Sequence, residues 1–140
     1  MEKLYLLDTC IWRDFYENRI SKQGKDFGSD AAKLFIKIIM EKGKILFSEI
    51  LVEDLRRCYS EKEIIEMLGL LELNKVLVKT AISKEEHIEA KKLSKERKLP
   101  FTDCLNAVLA RTNDALLVSQ DRHFEKLKDI ARTARPKEII

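Results

Sequence analysis

Four short apolar runs, spaced by longer stretches of helical periodicity, constrain the fold of this chain more than any other feature. Leu4–Leu7 and residues 45–47, 76–78 and 115–118 are each too short for a helix and read as strands. Between them, apolar positions recur at helical spacing. Residues 31–40 put Leu34, Phe35, Ile38 and Ile39 on one side with Gly43 as the stop, and the helix after Ser48 carries Leu51, Leu55 and Cys58 inward. Ser60-Glu61-Lys62-Glu63 and Ser83-Lys84-Glu85-Glu86 are capping boxes. They open helices that run to Leu71 and about Lys98, the second with Ile88, Ala90 and Leu93 inward. Residues 18–29, with Gly24 and Gly28 among charges, read as a mobile loop, and an edge strand is expected between Ile130 and Pro136. Strands alternating with helices predict a mainly parallel sheet with helices on both faces, a three-layer α/β/α fold. The 140 residues are expected to form one domain, 1–140, with a core of its own.

Composition narrows the classes of function. A chain that is 45% hydrophobic and 36% charged is globular rather than disordered. A net charge of +3 permits a nucleic-acid partner and excludes an acidic tail or a strongly basic arm. Cys10, Cys58 and Cys104 are odd in number and lack Cys-x-x-Cys spacing, so they indicate neither a disulfide framework nor a zinc site and read as inert buried thiols. No leader peptide or apolar run of membrane length is visible, so a cytoplasmic protein that does not enter a membrane is expected.

The chemistry is carried by acids. Asp8 ends the first strand, and Asp121 falls just past the run at 115–118, at the strand edge where open α/β sheets place their sites. Thr102 reads as an N-cap, which puts Asp103 in the first turn of a helix, where free N–H groups favour a carboxylate. Asp54 lies at the border of its helix's apolar stripe, able to lean over the same edge or to pair with Arg56 or Arg57, while Glu53 and Glu49 point to the solvated side. Four carboxylates brought together without a cation repel one another. A set of Asp residues without Cys or His ligands suits Mg²⁺ or Mn²⁺, whose natural chemistry with phosphates is phosphodiester hydrolysis. His87 and His123 read as surface or packing residues, His123 being close enough to Asp121 to touch a phosphate. The segment with Lys84, Lys91, Lys92, Lys95, Arg97 and Lys98 is the most basic, interleaved with Glu, and is a candidate for RNA contact just ahead of Asp103.

At these residues the chain resembles the PIN-domain nucleases. Leu6-Leu7-Asp8-Thr9 is similar to the family's opening, where Asp-Thr or Asp-Ser ends the first strand. Residues 48–55, SEILVEDL, are similar to its Ser-x-x-Thr-x-x-Glu-Leu block, with Leu51 in place of Thr and Asp54 where Glu is usual. Leu99-Pro100-x-x-Asp103 matches the third block, and Leu117-Val118-Ser119-x-Asp121-x-x-Phe124 the fourth, with Pro136 beyond it. Cys10 stands where the toxin branch often has Asn. The resemblance implies a Mg²⁺- or Mn²⁺-dependent ribonuclease of the kind found as VapC-type toxins and in RNA processing. It implies Asp8, Asp54, Asp103 and Asp121 as the catalytic acids, with Asp8, Asp103 and Asp121 on the metal and Thr9 and Ser119 supporting the carboxylates by hydrogen bonds. The partners it implies are RNA and an antitoxin protein that supplies Arg or Lys to the acidic pocket. The other reading is a PIN-like module that binds RNA without cutting it. The apolar positions Trp12, Phe15, Tyr16 and those within 64–68 exceed what one small core is expected to cover and suggest a homodimer.

Overall fold

Side-chain alternation along the strands decides the layers. In the computed structural model, which describes residues 3–140 apart from the side chain of Leu70, five strands form one sheet. They are β1 (Leu4–Leu7), β2 (Lys44–Phe47), β3 (Leu77–Lys79), β4 (Leu116–Val118) and β5 (Thr133–Ala134), in the order β3-β2-β1-β4-β5, and every pairing is parallel. Successive side chains of a strand point to opposite faces. Tyr5, Leu7, Ile45 and Val118 therefore join one core, packed by α1 (Thr9–Glu17), α2 (Phe27–Met40), α3 (Glu49–Arg56) and α4 (Glu61–Leu73). Leu6, Leu46 and Leu117 join the other, packed by α5 (Lys84–Arg97), α6 (Phe101–Thr112) and the 3-10 helix Arg122–Leu127. A short α7 (Pro136–Ile139) closes the chain.

The strand order places the site. From β1 the chain steps outward through β2 to β3, then returns past β1 to β4 and β5. That reversal separates the loops leaving β1 and β4, so a crevice opens at their carboxyl ends. Asp8 and Ser119 are the residues that leave these two strands.

Several local expectations are corrected. The helix expected over residues 31–40 begins four residues earlier, because Asp26 caps it by accepting from the Ser29 N–H at 2.9 Å. Gly28 is therefore helical rather than part of a loop, and its missing side chain lets α1 approach: an added Cβ would lie 2.5 Å from Asn18 Oδ1. The left-handed residue after this helix is Lys42 (φ 58°), not Gly43. Thr102 is not the cap of α6. Lys98 (φ 57°) ends α5, Pro100 occupies the capping position with a φ of −56°, and Phe101 is already helical. Asp103 nonetheless stays in the first turn. Ile88 is 56% exposed, since two residues along a helix is about 200° of rotation away from buried Ala90. Cys104 is buried as expected, but Cys58 is exposed just past the end of α3 and Cys10 is only half-buried. Both expected capping boxes form, Ser60 with Glu63 and Ser83 with Glu86. Among the described residues, no helix is long and apolar enough to cross a membrane.

Candidate active site

Asp8 is held where β1 gives way to α1. Its N–H donates to Val118 O at 3.0 Å, which ties the end of β1 to β4. Ser119, the next residue after β4, donates its hydroxyl to Asp8 Oδ2 at 2.8 Å and accepts from the Asp121 N–H at 2.9 Å. One buried hydroxyl thus links both strand-end acids. Cys10 adds a second donor to Asp8 Oδ2 at 3.3 Å, and its Sγ lies 3.5 Å from Ser119 Oγ. Burial, chiefly, and the neighbouring Asp8 charge push the Cys10 thiol well above its usual pKa, so it stays protonated and able to donate.

Asp103 reaches the same crevice from the first turn of α6, with its side chain only 10% exposed. His123, at the start of the 3-10 helix, turns its ring inward. Nδ1 lies 2.9 Å from Asp103 Oδ2 and 3.1 Å from Asp121 Oδ1. Asp121 Oδ1 also accepts the His123 backbone N–H at 2.8 Å and so caps the 3-10 helix. Among the described residues, Asp103, Asp121 and His123 bring three possible ligand atoms within 4.8 Å of one another. Asp8 is not in that set, but it is near enough for its charge to act on Asp103.

The electrostatics are those of acids short of a cation. Desolvation first, then the charges of Asp8 and Asp121, raise the Asp103 pKa to about 6 against the hydrogen bond from His123. Burial likewise raises Asp8, against the hydrogen bonds from Ser119, Cys10 and the Thr9 backbone, with Asp121 adding to the rise. A divalent ion relieves all of these repulsions at once, and oxygen-rich donors of this kind suit it. The residues present therefore fit such an ion.

Asp54 stands at the margin. Thr9 Oγ1 donates to Asp54 Oδ2 at 3.1 Å, and Arg57 lies 3.7 Å from Asp54 Oδ1, so the expected pairing with a neighbouring arginine is present. Glu53 is exposed on the far side of the helix. On α5, Lys84, Lys91, Lys92 and Lys95 are exposed, whereas Arg97 is spent on a bidentate pair with Asp129, both contacts 2.7 Å. His87 packs its ring on Phe101, centroids 5.0 Å apart.

Sequence reasoning missed two residues. The first is His123 as a partner of Asp103. Its signal was faint: a histidine two places beyond a strand-end Asp. The other is Asp14 on α1, buried with Oδ2 unpartnered and Arg19 3.7 Å from Oδ1. Burial, chiefly, pushes its pKa up to about 6 against the pull of Arg19 and Arg13, and the Asp8 charge adds a little. That signal was legible, since Asp14 lies three residues after the fully buried Ile11 and shares its face.

Comparison with known proteins gives a consistent picture. The PIN domain family matches the chain over residues 5–130. No curated protein matches it by sequence. Among solved structures, VapBC2 from Rickettsia felis bound to a DNA fragment from their promoter superposes with a TM-score of 0.64 at 17% identity, covering 94% of this chain and 98% of that one. A toxin–antitoxin complex from Klebsiella pneumoniae superposes at 0.62 and 17% identity, covering 94% and 97%. FitAcB from Neisseria gonorrhoeae does so at 0.62 and 16%, covering 96% and 99%. Identities this low speak for the fold alone.

Proposed function

This chain belongs to the PIN-domain family, and from that premise we propose that it is a Mg²⁺- or Mn²⁺-dependent endoribonuclease, acting as the toxin of a toxin–antitoxin pair or in RNA processing. The observation that carries the reading is that Ser119 joins Asp8 to Asp121 and His123 joins Asp121 to Asp103, at the reversal of strand order. Asp8, Asp103 and Asp121 would hold the ion, directly or through water. When bound, a divalent ion neutralises charge on a phosphoryl oxygen and makes water more acidic. The chain's own residues do the rest. Ser119 and Cys10 orient the Asp8 carboxylate, Thr9 holds Asp54 by a hydrogen bond, and α6 delivers Asp103 from its first turn. Lys91 and Lys95, exposed on α5, would meet the RNA backbone by charge. An antitoxin that inserts Arg or Lys between the carboxylates would block the site, in keeping with the toxin–antitoxin complexes among the structural neighbours.

The test is cleavage of end-labelled single-stranded and stem-loop RNA. Activity is expected with Mn²⁺ or Mg²⁺ and none with EDTA or in Asp8→Asn. Cleavage by Asp8→Asn in EDTA at the wild-type rate would sink the mechanism. The second reading, an RNA-binding module that does not cut, draws on the engagement of Asp54 by both Thr9 and Arg57. It predicts RNA binding without cleavage under every metal condition.

Asp54 itself gives a separate prediction. Asp54→Asn is expected to slow cleavage by about tenfold or more, the scale of a lost general-base or supporting carboxylate. Glu53→Gln should stay within about twofold, as a solvated residue does. The reverse pattern in measured cleavage rates would move the role one residue back.

A homodimer remains part of the proposal. Trp12 and Leu68 are buried in the monomer, which removes them from any interface, but Phe15, Ile65, Ile36, Met40 and Ile140 stay exposed. Sedimentation is expected to show a dimer at tens of micromolar, roughly where weak association appears; a monomer at that concentration rejects it.

A further inference from the structure

We propose that His123 is a nitrogen ligand of the divalent ion, which makes the centre a mixed nitrogen–oxygen one with a preference for Mn²⁺ over Mg²⁺. The inference rests on the metal-dependent reading above and concerns the composition and selectivity of that same centre.

The geometry points to His123 in three ways. Its Nδ1 is 2.9 Å from Asp103 Oδ2 and 3.1 Å from Asp121 Oδ1. In an octahedral site with ligands at about 2.0–2.1 Å, neighbouring donors are separated by about 2.9 Å, so both separations match an edge of such a site. The second point is that capping the 3-10 helix does not require the ring. The backbone N–H of His123 already satisfies the Asp121 cap at 2.8 Å, and the side chain is 46% exposed, free to lie in solvent. It turns instead toward an acid on a different element, 20 residues away. Third, Asp8 Oδ2 is committed to Ser119 Oγ and Cys10 Sγ, and the tight group of donor atoms is Asp103, Asp121 and His123.

Donor chemistry then sets selectivity. Mg²⁺ takes oxygen donors and keeps its waters, whereas imidazole nitrogen suits first-row transition ions. An all-carboxylate centre discriminates weakly between Mg²⁺ and Mn²⁺, and one imidazole tilts it toward Mn²⁺.

The experiment uses the full chain, free of any histidine tag and stripped of metal, with Mn²⁺ alone as the probe. Stoichiometry and affinity are read by electron paramagnetic resonance, and ligand nuclei by electron spin-echo modulation. The expected result is one tightly bound Mn²⁺ with nitrogen-14 modulation that changes on nitrogen-15 histidine labelling and persists in His87→Gln. In His123→Gln the modulation should vanish. Mn²⁺ affinity should fall by at least roughly tenfold, the scale of losing even a residue that only supports a ligand. Mg²⁺ affinity, read by competition, should change far less, so the Mn²⁺/Mg²⁺ ratio collapses. Bound Mn²⁺ without nitrogen modulation in the wild-type protein overturns the inference and leaves the metal centre standing. No stoichiometric Mn²⁺ overturns both. The wild-type spectrum decides between these outcomes, so the folding of the variant does not.

Discussion

Asp103→Asn is expected to cut RNA at about a thousandth of the wild-type rate and yet to melt at a higher temperature than the metal-free wild type. The loss follows from removing a charged ligand, since metal-borne charge stabilisation is worth several kcal/mol in a transition state. The gain follows from the same charge. Asp103 is buried beside Asp8 and Asp121, and its pKa of about 6 against an ordinary 3.8 records how poorly the folded protein tolerates its ionised form. A tenfold change in proton affinity is worth about 1.4 kcal/mol, so keeping this carboxyl ionised at neutral pH costs up to about 3 kcal/mol, less whatever solvent screens. An amide of the same shape escapes most of that cost, and a gain of about 1–3 kcal/mol moves the midpoint by several degrees in a chain of this size. Calorimetry in EDTA alongside a cleavage assay reads both effects. A variant that loses activity and also melts lower would mean that Asp103 is structural, held by its bond to His123 more than it is strained by its neighbours.

The second large effect is a reversal with pH. Asp103 and Asp14 both have pKa values raised to about 6 in the folded protein. A carboxyl raised on folding binds its proton more tightly folded than unfolded. Its contribution to stability is therefore full below the ordinary value of 3.8 and is lost as pH climbs through about 6. The metal-free protein should become more stable between pH 7 and pH 5. The lowered carboxylates, such as Glu17 beside Tyr59 and Asp129 beside Arg97, do not oppose this, since they give up their contribution only at pH values below that window. Saturating Mn²⁺ should invert the trend. The ion needs deprotonated ligands, and at a hundred times its Kd it adds about 2.7 kcal/mol, which acid then removes. The quantity to measure is the melting-temperature difference between ion-loaded and metal-free protein. It should be several degrees at pH 7.5 and close to zero at pH 5. A metal-free midpoint that falls steadily from pH 7 to pH 5 would contradict the strain assigned to these two acids.

The layers were legible in the sequence because burial leaves a pattern. The unbroken apolar run Leu4–Leu7 marks a strand buried on both faces, and Leu34 with Ile38 marks the inward face of a helix. Both survive in the structure, as do the two Glu-bearing capping boxes. What periodicity does not record is contact between elements. It places Asp8 and Asp121 at strand ends but carries no sign that Ser119 binds both. His123 meets Asp103 through the fold, not through spacing. Thr102 has the right kind of side chain for a cap, whereas the backbone is already committed by Pro100, two residues earlier. Gly28 misleads in the opposite sense. Glycine in a charged stretch usually signals freedom, and here it marks a place where two helices touch.

The link between Asp8 and Ser119 spans 111 positions of chain, and it fixes the order of events in time. A ribosome adding about 5–20 residues per second needs on the order of ten seconds to pass from the first strand of the sheet to the fourth. Throughout that interval Asp8 has neither its hydroxyl partner nor the strand that carries it. Parallel pairing between segments so far apart is also slow to form once both exist. On the proposed reading, a chain grown only as far as the third strand would not yet cut RNA, because the site cannot assemble until Ser119 has been made. The proposed inhibitory partner would have that whole delay in which to be waiting.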